Sequence, residues 1–171
     1  MRIGLISDTH IPSAGPALWP EVADVFRKVD LILHAGDLHE TSVLDWLERL
    51  APVRCARGNG DWRVVDPRVE ETQVLEIEGL RIGMVHGLWF PDGPPLAVEI
   101  QRIFGRPLDV LVTGDTHVEM VEWVDGVLVV NPGSPTYPHN LRVQRGTVGI
   151  LTITGGRPHA EILQLSPQVS R

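Results

Sequence analysis

The segment Arg2-Ile-Gly-Leu-Ile-Ser-Asp8-Thr-His10 begins with an apolar run and ends in a carboxylate and an imidazole. The same ending recurs in Val110-Leu-Val-Thr-Gly-Asp115-Thr-His117. Short apolar runs rich in β-branched residues predict strands that are buried on both faces. Ligands bind outside the carboxyl ends of the strands in open α/β sheets. These two segments therefore predict both a layered α/β fold and the edge where its chemistry lies.

Three more polar clusters of this kind lie between the two segments. They occur in Leu31-Ile-Leu-His-Ala-Gly-Asp37, Arg57-Gly-Asn59-Gly-Asp61 and Ile82-Gly-Met-Val-His86-Gly. Asp, His and Asn side chains without cysteine are typical ligands of hard or borderline divalent metals. We expect them to converge on a metal site, with Asp8 and His10 facing one ion from an extended segment, where alternate side chains point the same way.

Each residue also has a simpler explanation when it is taken alone. Asp37 could cap the segment that follows it, and Asn59 lies in a sequence typical of a tight turn. His86 could be a core histidine with a satisfied hydrogen bond. The metal-site hypothesis rests on the ordered set, because every member lies at the end of a predicted strand.

Length and charge narrow the class of protein. A chain of 171 residues is predicted to form one domain over residues 1–171. The net charge of −7 argues against a surface for large nucleic acids, which requires a basic face. Asp8 interrupts any secretory leader, and no apolar stretch approaches the ~20 residues needed to span a bilayer. We expect a cytoplasmic protein without a membrane partner.

The first half of the chain predicts a βαβαβ order. Strands are expected at residues 2–7, 30–35 and 53–57. One helix is predicted to open at Gly15-Pro16 and a second to be capped by Thr41 or Ser42. Short connections in this order predict parallel strands with right-handed crossovers.

The second half of the chain predicts hairpins instead of alternating strands and helices. Hairpin turns are predicted at Glu78-Gly79, Asp125-Gly126 and Gly155-Gly156. A helix is expected to begin at Pro94-Pro95 and to end at Gly105, before a buried strand. The result is an α/β protein with mixed sheets and helices outside them.

Taken in order, the motifs resemble those of the calcineurin-like metallophosphoesterases, and most closely the small prokaryotic phosphodiesterase branch. The resemblance runs from residue 2 to about residue 163 and implies a four-layer αββα sandwich. The motifs that carry it are Asp8-x-His10, Gly36-Asp37, Gly58-Asn59-x-Asp61, His86-Gly87, Gly114-x-x-His117 and Asn131-Pro-Gly-Ser134.

The resemblance also implies the roles of individual residues. Two divalent ions are expected, with manganese favoured and iron, nickel or zinc as alternatives. The first ion would be held by Asp8, His10, Asp37 and His117. The second would be held by Asn59, His86 and Asp115, with Asp37 bridging the pair. A hydroxide shared by the ions would attack phosphorus in line, which makes Asp37 and Asn59 the predicted catalytic residues.

Three positions depart from the family pattern. Asp115 replaces a histidine, which adds a third carboxylate and lowers the positive charge of the centre. Gly60 stands where many relatives have a histidine that protonates the leaving group, and Leu88 replaces the last residue of His-Gly-His. His39 and His139 are candidates for the missing proton donor, although either could be an ordinary solvated histidine.

A centre of lower positive charge favours a phosphodiester over a monoester. The substrate is expected to be a small phosphate ester, with a nucleotide-like ester as one candidate. Trp62, Trp89 and Phe90 could offer a platform for a flat group, and Arg57 and Arg63 could hold phosphate, although packing and solvent exposure are simpler roles for them.

Two other functions compete with the phosphodiesterase. The chain is also similar to the metallophosphoesterase-like subunit of the retromer coat, which implies a weakly active or inactive metal-binding scaffold for protein interactions. A mononuclear redox site is the third alternative, although the ligand order gives no reason for it. Relatives commonly form homodimers or larger assemblies, so a homo-oligomer is a further expectation from the resemblance.

Overall fold

The computed structural model describes residues 1–88 and 91–167, so the predictions for Trp89 and Phe90 lie outside the described residues. The strands of the first sheet are β1 Arg2–Ile6, β2 Leu31–His34, β3 Val53–Ala56, β4 Val69–Glu70, β10 Thr147–Thr154 and β11 Arg157–Gln164. Those of the second sheet are β5 Thr72–Ile77, β6 Leu80–Val85, β7 Val110–Val112, β8 Met120–Val124 and β9 Val127–Asn131. The helices are α1 Glu21–Val25, α2 Ser42–Glu48 and α3 Leu96–Phe104.

Both sheets are mixed. The six-stranded sheet has the order β11-β10-β1-β2-β3-β4, and the strands from β1 to β4 are parallel. The five-stranded sheet has the order β5-β6-β7-β9-β8, with β6, β7 and β9 parallel. The predicted parallel pairing of the first three strands is confirmed. Parallel strands end at a common edge, so the polar residues that follow β1, β2 and β3 are neighbours.

Alternation along the strands separates the apolar side chains into layers. Leu5 and Leu33 from the first sheet pack against Met84 and Val112 from the second, in a cluster between the sheets. The opposite face of the first sheet packs against α1 and α2, where Phe26 and Leu47 are fully buried. The outer face of the second sheet packs against α3, through side chains such as Ile100. The predicted four-layer αββα sandwich is confirmed.

Phe26 explains one glycine of the first strand. A Cβ added to Gly4 would lie 3.0 Å from two carbons of the Phe26 ring, which is closer than ordinary packing allows. The ring can therefore lie this close to the strand because Gly4 has no side chain. This contact ties α1 to the strand that carries Asp8.

The prediction that the first helix opens at Gly15-Pro16 is wrong. Turns and bends cover most of residues 11–20, and α1 begins at Glu21, directly after Pro20. Pro12, Pro16 and Pro20 lack the backbone N–H that a helix interior needs, so they restrict helix formation to the residues after them. Val22 of this helix and Phe26, which follows it, are both fully buried.

The three predicted hairpin turns are present. Glu78 and Gly79 have φ of 50° and 82°, and Asp125 and Gly126 have φ of 50° and 84°. Two successive residues with positive φ are the mark of the type I′ turn, whose twist matches that of the paired strands. The short strand β4 was not predicted, because two residues are too few to show a periodic pattern. No helix within the described ranges is long and apolar enough to cross a membrane.

Candidate metal centre

The structure brings all seven predicted metal-ligating side chains to one edge of the two sheets. Three sets of carboxylate and imidazole groups have ligand atoms within 4.8 Å of one another. These sets are Asp8 with His10 and His117, Asp8 with Asp37 and His86, and His10 with Asp37 and His39. Asn59 and Asp115 lie beside His86.

Asp8 lies at the centre of the cluster and is fully buried. Its Oδ1 is 3.4 Å from Nε2 of His117 and 3.9 Å from Nε2 of His10. The backbone N–H of Asp115 donates to both Asp8 carboxylate oxygens, at 3.3 and 3.1 Å. The loop after β7 is thereby joined to the loop after β1, which aligns the two Asp-Thr-His segments.

Asp37 lies between two histidines. Its Oδ2 is 3.6 Å from Nε2 of His10, and its Oδ1 is 3.6 Å from Nε2 of His86. The backbone N–H of Gly60 donates to Oδ1 at 2.7 Å, which fixes the rotation of the carboxylate. Asp37 therefore presents one oxygen toward each of two neighbouring groups of ligands.

Hydrogen bonds behind two imidazoles fix which ring nitrogen faces the centre. Nδ1–H of His86 donates to the carbonyl of Ala35 at 2.8 Å, and Nδ1–H of His117 donates to the carbonyl of Tyr137 at 2.7 Å. Each bond places the proton on Nδ1 and leaves the Nε2 lone pair pointing inward. This is the usual outer support of metal-binding histidines.

The second group of ligands surrounds His86. Oδ1 of Asn59 lies 3.1 Å from Nε2 of His86, and Oδ1 of Asp115 lies 3.6 Å from the same nitrogen. The Asp115 side chain is half exposed, but its carboxylate turns toward the cluster rather than away from it. Aspartate at position 115 can therefore still act as a ligand.

The backbone conformation at the centre differs from the prediction. Asp8 and His10 were expected on an extended segment, yet their φ values are 54° and 46°. Asp37, Asp115 and His117 also have positive φ, at 56°, 71° and 58°. Residues other than glycine rarely adopt the left-handed region, and such strain concentrates at functional sites. The tight left-handed turns aim several side chains from short loops at one point.

Asp61 supports the loops without belonging to the cluster. Its buried carboxylate accepts the backbone N–H groups of Asp37 and Gly58, each at 2.9 Å, and that of His39 at 2.8 Å. One side chain therefore holds the loop after β2 against the loop after β3. Asp61 therefore has a structural role here.

Two hydroxyl groups of the loop after β9 form hydrogen bonds with the backbone that follows β1. Oγ of Ser134 donates to the carbonyl of Asp8 at 2.7 Å, and Oγ1 of Thr136 donates to the carbonyl of Thr9 at 2.8 Å. Ser134 was part of the recognised motif. Thr136 was not singled out from the sequence, since a lone threonine in a loop gives no signal until its acceptor is known.

Burial sets the protonation of the central groups. Removal from water raises the pKa of the Asp8 carboxyl to about 7, partly offset by nearby His86. It lowers the pKa of His10 to about 4, partly offset by Asp37, so the His10 imidazole is neutral near pH 7. Neutral imidazole is the form that binds metals, and a cation next to Asp8 would stabilise the ionised carboxylate.

The two candidate proton donors lie in different surroundings. The His39 ring packs edge-on against His10, with ring centroids 4.5 Å apart, and its Nε2 occupies the space where a side chain at Gly60 would lie. The His139 ring pairs instead with the carboxylate of Glu119 at 2.9 Å. His39 therefore lies within the cluster, beside His10 and Asp37, whereas His139 pairs with a carboxylate outside it.

A four-layer αββα sandwich with carboxylate, imidazole and carboxamide ligands at its strand ends defines a metallophosphoesterase-type protein. Residues 1–156 match the model of the calcineurin-like phosphoesterase superfamily domain. The chain belongs to this superfamily, whose members depend on metal ions.

Individual relatives agree with this assignment. A probable metallophosphoesterase of Methanothermobacter thermautotrophicus is 41% identical over 175 residues, covering 100% of this chain and 96% of the relative. A phosphodiesterase of Methanocaldococcus jannaschii is 29% identical over 149 residues, covering 78% of this chain and 83% of the relative. The crystal structure of wild-type Vps29 from Entamoeba histolytica complexed with Zn²⁺ superposes with a TM-score of 0.74, at 25% identity, over 97% of this chain and 100% of that one.

Proposed function

We propose that this protein is a phosphodiesterase that works with two divalent cations at the metal centre. The observation that carries the proposal is the position of Asp37, whose two carboxylate oxygens face His10 and His86 at 3.6 Å each. A carboxylate placed in this way can join two ions. Asp8, His10 and His117 would complete the first site, and Asn59, His86 and Asp115 the second.

The donor set supports manganese as the native metal. It combines carboxylate, carboxamide and imidazole donors, and the lone cysteine, Cys55, lies in a buried strand outside it. Hard oxygen donors together with imidazoles suit Mn²⁺ and Fe²⁺, while zinc remains compatible with the imidazoles. The related Vps29 of E. histolytica was crystallised in complex with Zn²⁺, which supports divalent-metal binding by a protein of this fold.

Charge at the centre supports a diester substrate. Asp115 adds a third carboxylate to Asp8 and Asp37, which lowers the positive charge available to phosphate. A phosphodiester carries a single negative charge and needs less compensation than a monoester. The overall charge of −7 likewise favours a small ester over a nucleic-acid polymer, and we propose that the protein acts in the cytoplasm.

The residues of the chain have distinct tasks in this mechanism. Bound metals supply Lewis acidity toward water and the phosphoryl oxygens. Asp37 holds the two halves of the centre together, and Asn59 presents its amide oxygen to the second half without adding charge. Nε2 of His39 donates a proton to the departing oxygen, from the space that Gly60 leaves open.

Hydrolysis of bis(p-nitrophenyl) phosphate in the presence of Mn²⁺ tests the proposal. We expect turnover that is abolished by chelation and that falls at least about 100-fold in the Asn59→Ala variant. Asn140→Ala is the matched control, because Asn140 is exposed and, within the described part of the chain, its amide donates to the Thr116 carbonyl. Thermal melts should show that both variants fold. Equal rates for the wild type and Asn59→Ala would contradict the proposal.

An interaction module is the second candidate, and two observations favour it. The Vps29 structure shares the fold over nearly the whole chain. Leu141 and Val143 are also exposed, with relative accessibilities of 76% and 50%, in the loop that follows Tyr137 beside the centre. A folded, metal-loaded protein that hydrolyses no phosphoester with manganese, iron, nickel or zinc would support this candidate and reject the phosphodiesterase.

A further inference from the structure

A cleft of about 520 Å³ leads from the metal centre to an exposed tryptophan. Asn59, His86 and Asp115 of the metal centre line the cleft together with Trp62 and Glu71. Sites for small organic ligands commonly have volumes of roughly 300–1,000 Å³. The cleft therefore has room for a group attached to a phosphate that sits at the centre.

Trp62 is held in place yet contributes little to the core. It follows the 3-10 turn Asn59–Asp61 directly, so the turn that positions Asn59 also positions the indole. Its relative accessibility is 71%, and the guanidinium of Arg63 lies 4.1 Å from the ring centre. An indole that is anchored by a cation but still widely exposed keeps ring surface available for stacking.

The charged groups of the cleft restrict what can lie beside Trp62. Nη1 of Arg57 donates to the carbonyls of Asp61 and Val64, at 2.8 and 3.0 Å, and its Nε pairs with Glu71 at 2.8 Å. Arg57 is thus engaged in holding the turn, and its predicted role as a phosphate ligand is not supported. Among the described residues that line the cleft, the one arginine, Arg57, is already paired with Glu71, and Asp115 adds a further carboxylate, which disfavours a second phosphate beside Trp62.

We propose that Trp62 stacks on the nucleobase of a nucleoside phosphodiester whose phosphate lies at the metal centre. This inference rests on the proposed function and narrows its substrate class. A base is flat and uncharged, so it matches an open aromatic face flanked by carboxylates. Base–aromatic stacking is insensitive to base identity, since every base has a π face. Recognition at this position therefore selects nucleosides without selecting one base.

Calorimetric titration of the manganese-loaded protein with uridine 5′-monophosphate and ribose 5-phosphate tests the stacking, because ribose 5-phosphate keeps the sugar and phosphate and has an anomeric hydroxyl in place of the base. We expect the wild type to bind the nucleotide about 10-fold more tightly. Trp62→Leu should abolish this preference, and Trp62→Phe should keep most of it. Trp123→Leu is the matched control, since Trp123 is 61% exposed but lies on β8, outside the cleft.

A kinetic test measures hydrolysis of the methyl phosphodiesters of the same two compounds, with the reaction followed by ³¹P NMR. The wild-type KM should be about 10-fold lower for the uridine diester, and Trp62→Leu should remove the difference between the two substrates. Equal affinity of the wild type for both ligands, or a preference that survives Trp62→Leu, overturns the inference. Tighter binding of the nucleotide than of the sugar phosphate, without hydrolysis of either diester, would reject the proposed phosphodiesterase function but would still support stacking of the base on Trp62.

Discussion

The imidazole of His39 occupies the space beside Gly60 that any larger residue would fill. A Cβ at position 60 would overlap Nε2 of His39 and would lie 3.1 Å from Oδ1 of Asp37. Glycine at position 60 and histidine at position 39 are thus a matched pair. The resemblance places a proton-donating histidine at position 60, and we propose that His39, on the loop after β2, takes that role in this chain.

This pairing makes His39→Gln sensitive to the leaving group. A general acid matters most when the departing alkoxide is basic, and its loss typically costs 10²–10⁴-fold. We expect about a 100-fold fall in kcat for alkyl diesters and a much smaller fall for bis(p-nitrophenyl) phosphate, whose leaving group needs no proton. Measuring kcat of the wild type and of His39→Gln on a series of diesters with leaving groups of increasing basicity tests this expectation. If His139→Gln shows the larger dependence, His139 is the donor instead.

A second prediction concerns Gly58, which lies against the backbone of Asp37. A Cβ on Gly58 would overlap both Oδ1 and the backbone nitrogen of Asp37, and a backbone neighbour cannot move aside as a flexible side chain can. We expect Gly58→Ala to lower the free energy of unfolding by about 3 kcal/mol and to weaken manganese binding.

Gly87→Ala is the control for Gly58. Among the described residues, the nearest atom to a Cβ on Gly87 is a carboxylate oxygen of Asp115 at 3.8 Å, which is ordinary contact. Urea denaturation should place this variant within about 0.5 kcal/mol of the wild type. Similar stability losses for the two variants would show that the close approach at Gly58 is not a constraint.

The buried His34 predicts a pH dependence of stability. Its Nδ1 accepts the N–H of Gly36 at 3.1 Å, and its Nε2 lies 3.1 Å from Oγ1 of Thr9, which suits a neutral ring. Burial lowers the pKa of His34 to about 4 from 6.5. Below pH 6.5 the His34 side chain takes up a proton in the unfolded chain but not in the folded protein. The stability that neutral His34 gives the folded protein is therefore complete above pH 6.5 and is lost progressively as the pH falls toward 4.

His34→Gln isolates this contribution, because glutamine does not titrate. Each pH unit below 6.5 lowers the free energy of unfolding of the wild type by about 1.4 kcal/mol relative to the variant. The stability difference between the two proteins should therefore fall by about 2 kcal/mol between pH 7.5 and 5. Urea denaturation with chelator at the two pH values measures the difference. Parallel pH profiles for the two proteins would show that His34 titrates normally.

The Asp115 side chain should contribute to the affinity for the second manganese ion, near His86, more than to that for the first. Its Oδ1 faces His86 at 3.6 Å, in the second group of ligands, whereas the first group is complete without its side chain. We expect Asp115→Ala to weaken binding of the second manganese ion at least about 10-fold and to leave the first in place. Calorimetric titration resolves the two steps. Asp92→Ala, which changes an exposed carboxylate, is the control.

Sequence patterns predicted the edge of the fold that carries the centre but not its local geometry. The buried strand that ends before Asp8 was evident from apolar periodicity, and parallel pairing followed from the order of elements. The left-handed turns at Asp8 and His10 were not predicted, because tertiary contacts impose them. The pairing of His39 with Gly60 joins two loops, so it emerged only when the loops were seen side by side.

The start of the first helix was missed for a related reason. Gly15-Pro16 has the local chemistry of a helix start, yet the helix begins after Pro20 because a further proline intervenes. The imidazole orientations at His86 and His117 depend on the carbonyls of Ala35 and Tyr137, distant in the chain. Such contacts leave no periodic trace in a single sequence.

The most direct test of the central claim is anomalous diffraction from a crystal of the wild-type protein grown with Mn²⁺. We predict two manganese peaks about 3.5–4 Å apart, one on each side of the Asp37 carboxylate. His10 and His117 should contact one peak, and His86 with Asn59 the other. A single peak, or none at this edge of the sheets, would contradict the two-metal account.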